Sequence, residues 1–164
     1  MKPLILLIFI LVYALCGTEL GYSASSPWWS HLTYSFQHGS WLHLAINALG
    51  FVGLYGALVQ FIKPARLLLM AYAVAVAASF VCVYRLPVVG ASAVIYAMLG
   101  MYLSLLLFRR IHYRRRGDLW LFLLSVVSFL VISFVKQNTA GMLHLVCLLS
   151  GAAIGTLYFK ILKR

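Results

Sequence analysis

Six long apolar runs fill most of the chain, and short polar or aromatic connectors separate them. They are Pro3 to Leu20, Trp41 to Ile62, Leu67 to Tyr84, Ala91 to Phe108, Leu119 to Val135 and Thr139 to Ile161. About 20 helical residues cover a hydrocarbon core of about 30 Å, so each run is near the length of one crossing. Open strands leave backbone groups unpaired in lipid, so the crossings must be helices. The pattern predicts an all-α membrane protein with six transmembrane helices in one domain over residues 1–164. The first run follows Met1-Lys2 and could be a signal peptide. Leu15, just before Cys16, is too large for a small-residue cleavage site, so we read the run as a retained helix; cleavage would leave five spans. The connector from Gly17 to Ser40 differs from the others. It carries Tyr22, Pro27, Trp28, Trp29, Tyr34 and Phe36, and its only charge is Glu19. Tryptophan and tyrosine favour the membrane–water interface. The connector therefore reads as an interfacial loop, partly embedded, and loops of this length tend to be functional.

Composition agrees with this picture. The chain is 65% hydrophobic and 9% charged, with a mean hydropathy of +1.03, against about 25% charged residues in soluble domains. The net charge of +11 would suggest nucleic acid if the basic residues were scattered, but they are not. Lys2, Lys63, Arg66, Arg109, Arg110, Arg114, Arg115, Arg116, Lys160, Lys163 and Arg164 fall on one side of the predicted spans; Arg85 and Lys136 fall on the other. Basic residues mark the cytoplasmic side, so both termini are expected inside. The Arg109 to Arg116 cluster reads as a topological anchor on anionic lipid headgroups, with no nucleic-acid partner. Cys16, Cys82 and Cys147 follow no metal or redox spacing and read as small hydrophobes.

This topology sets four polar residues at one depth. The second, fourth and sixth spans all run from outside to inside, and their first two turns carry His43 and Asn47, Ser92, and His144. Ser92 to Arg109 is 17 steps of about 1.5 Å, or about 25 Å, which puts Ser92 a few ångströms below the outer boundary. His43 and Asn47 are four apart and share a face, as do Ser92 and Tyr96. His144, Cys147, Gly151 and Gly155 form a stripe, and Gly151 to Gly155 is a GxxxG spacing that lets helix backbones approach closely. Taken singly, Ser92 is a capping hydroxyl, His144 a satisfied core residue, Asn47 an interhelical hydrogen bond and Tyr96 plain packing. His31 and His38 read as interfacial and His112 as solvated. Taken together, polar groups inside spans are costly and mark functional sites.

The available chemistry is narrow. Glu19 and Asp118 are the two acids, and Asp118 belongs to the cytoplasmic side. Paired-carboxylate catalysis, a carboxylate metal site and a Ser-His-Asp triad are thereby excluded within one chain. Zinc on three histidines is disfavoured, because no HExxH spacing and no water-activating glutamate is present. A serine–histidine dyad without cofactor or metal remains. His144 would take the Ser92 hydroxyl proton as Ser92 attacks a carbonyl, and His43, Asn47 and the Ser92 N–H could hold the resulting oxyanion.

These residues are similar to a known pattern. Phe36-Gln-His38-Gly-Ser-Trp-Leu-His43-Leu-Ala-Ile-Asn47, then Gly90-Ala-Ser92 with Tyr96, then His144 with a glycine seven later, resemble in order the motifs of the rhomboid intramembrane proteases in their minimal six-helix bacterial form. The resemblance implies Ser92 as nucleophile and His144 as general base and acid. It implies His43, Asn47 and the Ser92 amide as oxyanion donors, with Gly90 beside the nucleophile. Tyr96 would pack on the His144 ring, and His38 would bond structurally within the embedded first loop. It further implies cleavage of transmembrane protein substrates near their extracytoplasmic ends, in a bacterial inner membrane. Ala93 stands where the family usually has glycine, Gln60 near a common acid, Cys147 for a glycine or alanine, and Trp29-Ser30 for a Trp-Arg pair. None of these removes a reacting group. Two other readings stay open: a non-catalytic rhomboid-like protein that binds membrane clients, and a small helical channel or transporter.

Overall fold

The computed structural model describes residues 2–16, 19–108, 116–135 and 140–162. Among these, seven α-helices form: α1 (Lys2–Leu15), α2 (Ser30–Thr33), α3 (Trp41–Leu58), α4 (Pro64–Val81), α5 (Ser92–Leu107), α6 (Arg116–Val135) and α7 (Gly141–Leu157). A 3-10 turn (Tyr34–Phe36) follows α2, and a π turn (Tyr158–Leu162) ends α7. Each of the six apolar runs contains a helix. Those of α3, α4, α6 and α7 are long and apolar enough to cross a membrane, whereas α1 and α5 are shorter. Arg109 to Arg115 with His112, and also Lys136, Lys163 and Arg164, lie outside the described residues.

Some helix boundaries depart from the apolar runs. α1 stops at Leu15 and not Leu20, and α3 stops at Leu58 and not Ile62. α4 starts three residues earlier than its apolar run, because Pro64 sits in its first turn, where the missing N–H costs nothing. Ser40 caps α3 by accepting the His43 N–H at 3.1 Å.

α5 is the central helix. It packs against α3, α4 and α7, and buries Ala93, Tyr96, Ala97, Met98, Met101 and Leu105. Its crossing with α7 is the closest in the fold. A Cβ on Gly100 would run into the Leu148 carbonyl oxygen, one on Gly151 into the Ala97 carbonyl oxygen, and one on Gly155 into Ser104 Oγ. Such proximity maximises van der Waals contact, which drives helix association where lipid is as apolar as the side chains. α6 is the least buried of the four long helices; Leu121, Phe129 and Val135 all point outward.

The connector between α1 and α3 is folded onto the helices. The Tyr22 hydroxyl donates to the Cys82 carbonyl and the Tyr34 hydroxyl to the Ala75 carbonyl, each at 2.9 Å. Tyr72 of α4 donates back to the Leu32 carbonyl. His31 Nδ1 lies 2.9 Å from Ser79 Oγ, with its ring stacked on Phe80. The connector also pairs with the non-helical segment before α5. Tyr22 and Val88 exchange backbone hydrogen bonds of 3.1 and 2.8 Å, and the Gly90 N–H donates to the Tyr34 carbonyl at 2.9 Å. Backbone polar groups buried among helices must be paired, and the connector supplies those partners.

Candidate active site

Ser92 is the first residue of α5, where no earlier helical turn offers its hydroxyl a carbonyl. The contrast with other serines is informative. Ser79, Ser104, Ser125 and Ser133 each donate to a carbonyl three or four residues back, on Val76, Met101, Leu121 and Phe129. That is the ordinary fate of a hydroxyl inside an apolar helix. Ser92 Oγ instead lies 2.8 Å from His144 Nε2, and Ser92 is only partly buried. The close α5–α7 crossing makes this approach possible. Cys147, Gly151 and Gly155 lie further along the same helix, at the packing seam and away from the hydroxyl.

The His144 ring is held from two sides. Tyr96, one turn after Ser92, stacks on it with ring centres 4.4 Å apart and planes 15° apart. Ser133 Oγ of α6 lies 3.0 Å from His144 Nδ1 and 3.3 Å from the Tyr96 hydroxyl. Nothing in the sequence marks Ser133, which is one of several serines in an apolar helix.

On the other side of Ser92, Gly90 turns the chain with φ +120°, a conformation that side chains disfavour. A Cβ there would stand 2.8 Å from His43 Nε2 and 3.2 Å from Asn47 Nδ2. The space that Gly90 leaves open is thus bounded by two polar side chains of α3. Asn47 Nδ2 is buried and has no hydrogen-bond partner among the described residues. A buried amide without a partner is costly, so its natural complement is an acceptor that arrives with a ligand. The first N–H groups of α5 also have no carbonyl partner within the helix.

His38 reaches beyond the connector. Its Nε2 accepts a long 3.5 Å hydrogen bond from the Ala91 N–H, and its ring packs edge-on to Phe9 and His43. Burial, then the neighbouring His43, holds its pKa down at about 4, so at neutral pH the ring is uncharged and can accept. Among the described residues, no group of three or more His, Cys, Asp or Glu side chains gathers in a way that could hold a metal ion.

A family model described as the rhomboid domain matches residues 25–161 of this chain. The chain belongs to the rhomboid family. This rhomboid is accordingly an integral, multi-pass membrane protein, and its family acts on transmembrane substrates. The match takes in α2 to α7 and hence Ser92, His144, His43, Asn47, Gly90 and Ser133. Comparison with individual curated proteins gives no match.

Proposed function

We propose that this rhomboid is an active intramembrane serine endopeptidase working through a Ser92–His144 dyad. The observation that carries the reading is the 2.8 Å contact between Ser92 Oγ and His144 Nε2, made by a serine with no carbonyl to return to. Ser92 Oγ attacks the scissile carbonyl carbon, and its proton passes to His144 Nε2. The oxyanion sits in the space beside Gly90, held by His43, Asn47 and the Ser92 N–H. The C–N bond then breaks, and Nε2 returns the proton to the departing amine. Water, deprotonated by His144, hydrolyses the acyl-enzyme and restores the Ser92 hydroxyl. The dyad needs no cofactor or metal.

We place all six apolar helices across the bilayer as one domain, with both termini cytoplasmic, as the basic residues favour. α5 has 16 residues, or about 24 Å, which is shorter than a hydrocarbon core of about 30 Å. With its inner end at the cytoplasmic boundary, Ser92 is recessed below the outer one. Cleavage therefore falls near the extracytoplasmic end of a substrate helix, in a bacterial inner membrane. Substrates with small or helix-breaking residues there are favoured, because the segment must unwind to present a carbonyl. A serine-directed phosphonate should label the wild type in micelles and leave Ser92→Ala unlabelled. Equal labelling of the two would overturn the assignment. An unlabelled but folded wild type that still captures membrane clients would favour a non-catalytic binding protein.

A further inference from the structure

Ser133 belongs to α6, and among the described residues three groups meet at its Oγ. It donates to the Phe129 carbonyl at 2.8 Å, and it lies 3.0 Å from His144 Nδ1 and 3.3 Å from the Tyr96 hydroxyl. A hydroxyl has one hydrogen and two lone pairs. The Phe129 carbonyl can only accept, so the arrangement that satisfies all three contacts gives Ser133's hydrogen to Phe129 and has its oxygen accept from the other two. A neutral imidazole carries a single N–H, and the bond to Ser133 requires that hydrogen on Nδ1. Nε2 is then left with its lone pair, 2.8 Å from the Ser92 hydroxyl. The backbones permit this approach because position 141 has no side chain; a Cβ on Gly141 would stand 2.7 Å from the Ser133 carbonyl oxygen.

We infer that Ser133 is the positioning residue of the dyad, fixing His144 in the Nδ1–H tautomer so that Nε2 faces Ser92 as a base. It takes the place of the carboxylate in a triad, whose main task is to hold the imidazole in the correct tautomer and orientation. A neutral hydroxyl does this without burying a charge beside lipid. The Tyr96 hydroxyl, bonded to the same oxygen, registers the stacked ring against it.

The catalytic consequence rests on the proposed protease reading, whereas the tautomer itself does not. The test uses histidine-15N-labelled full-length protein in micelles, with the His144 signals identified by their loss in His144→Gln. Ser133→Thr keeps the hydroxyl, Ser133→Val has the same branched shape without it, and Ser133→Ala removes it without branching. The wild type and Ser133→Thr should show the Nδ1–H tautomer, and Ser133→Val and Ser133→Ala a mixture. On a transmembrane substrate, Val and Ala should lower kcat by about 10- to 100-fold with KM unchanged, as losing a supporting partner does elsewhere, and Thr should stay within about threefold of the wild type. A wild-type tautomer in both Val and Ala would overturn the assignment, whatever the turnover. A changed tautomer with undiminished kcat would overturn its catalytic part. Absence of any Ser92-dependent turnover in the wild type would strike the protease reading alone, and the tautomer would still decide the role of Ser133.

Discussion

At Gly90 a missing side chain defines the space in which a negative charge would be held. The φ of +120° disfavours any other residue, and a Cβ would stand 2.8 Å from His43 Nε2. Gly90→Ala should therefore lower kcat by about 100-fold or more, comparable to losing an oxyanion donor. Phosphonate labelling should slow in parallel, while helical content by circular dichroism stays unchanged. Undiminished turnover would show that the space beside Gly90 is not where the oxyanion forms. Ser92, His144, His43 and Asn47 stood out in the sequence as candidates because a polar group inside an apolar run is expensive. Ser133 did not, for a physical reason. It returns its hydrogen to Phe129 like any helical serine, and its lone pairs acquire partners only when α6 docks beside α7. Asn47 stood out as a polar residue in an apolar run, but that its Nδ2 is buried with no partner among the described residues is a property of packing.

The helices themselves were legible because an apolar run near membrane length has few other solutions. Their ends were legible only in part: the starts of α3 and α5 fall within one residue of their apolar runs, whereas α1 and α3 stop short of theirs and α4 begins early at Pro64, which hydropathy does not register. α2 and the 3-10 turn escaped because they span about one turn each, too short for a period to show. The α5–α7 crossing was half legible: the stripe of Gly151 and Gly155 pointed to a close neighbour, but Gly100 on that neighbour carried no signal of its own. This crossing sets the distance between Ser92 and His144. A side chain at 151 meets the Ala97 carbonyl oxygen, so Gly151→Val should push the helices apart. A misplacement of about 1 Å can cost about 100-fold in rate. Gly151→Val should lose turnover by that order and melt at a lower temperature in micelles. Gly53→Ala is the matched control. Its Cβ meets nothing within 4 Å, and alanine favours a helix over glycine by up to about 1 kcal/mol, so activity and melting temperature should hold or rise. Equal losses in both variants would show that glycine content matters and not the crossing.

Across the whole molecule, the connector joins the entrance of α5 to the rest of the bundle. Tyr22, Tyr34 and His31 bind it to α4, while Tyr22, Tyr34 and His38 reach the segment that delivers Ser92. Two of its histidines are buried, and burial lowers the pKa of each, that of His38 to about 4. The consequence for stability has a definite sign. Above the ordinary histidine value of 6.5, folded and unfolded chains both hold these rings neutral, and stability does not depend on them. As pH falls from there toward about 4, the unfolded chain takes up protons that the folded one refuses, so stability falls. Below that, His38 protonates in place and its Nε2 can no longer accept from Ala91. The melting temperature in micelles should therefore decline by several degrees between pH 7 and pH 4. His38→Gln offers an amide oxygen to the Ala91 N–H and has no proton to gain. It should flatten part of that slope. An unaltered slope in His38→Gln would mean that the ring does not stay neutral in the folded chain through this range, and that Tyr22 and Tyr34 hold the segment before α5 without it.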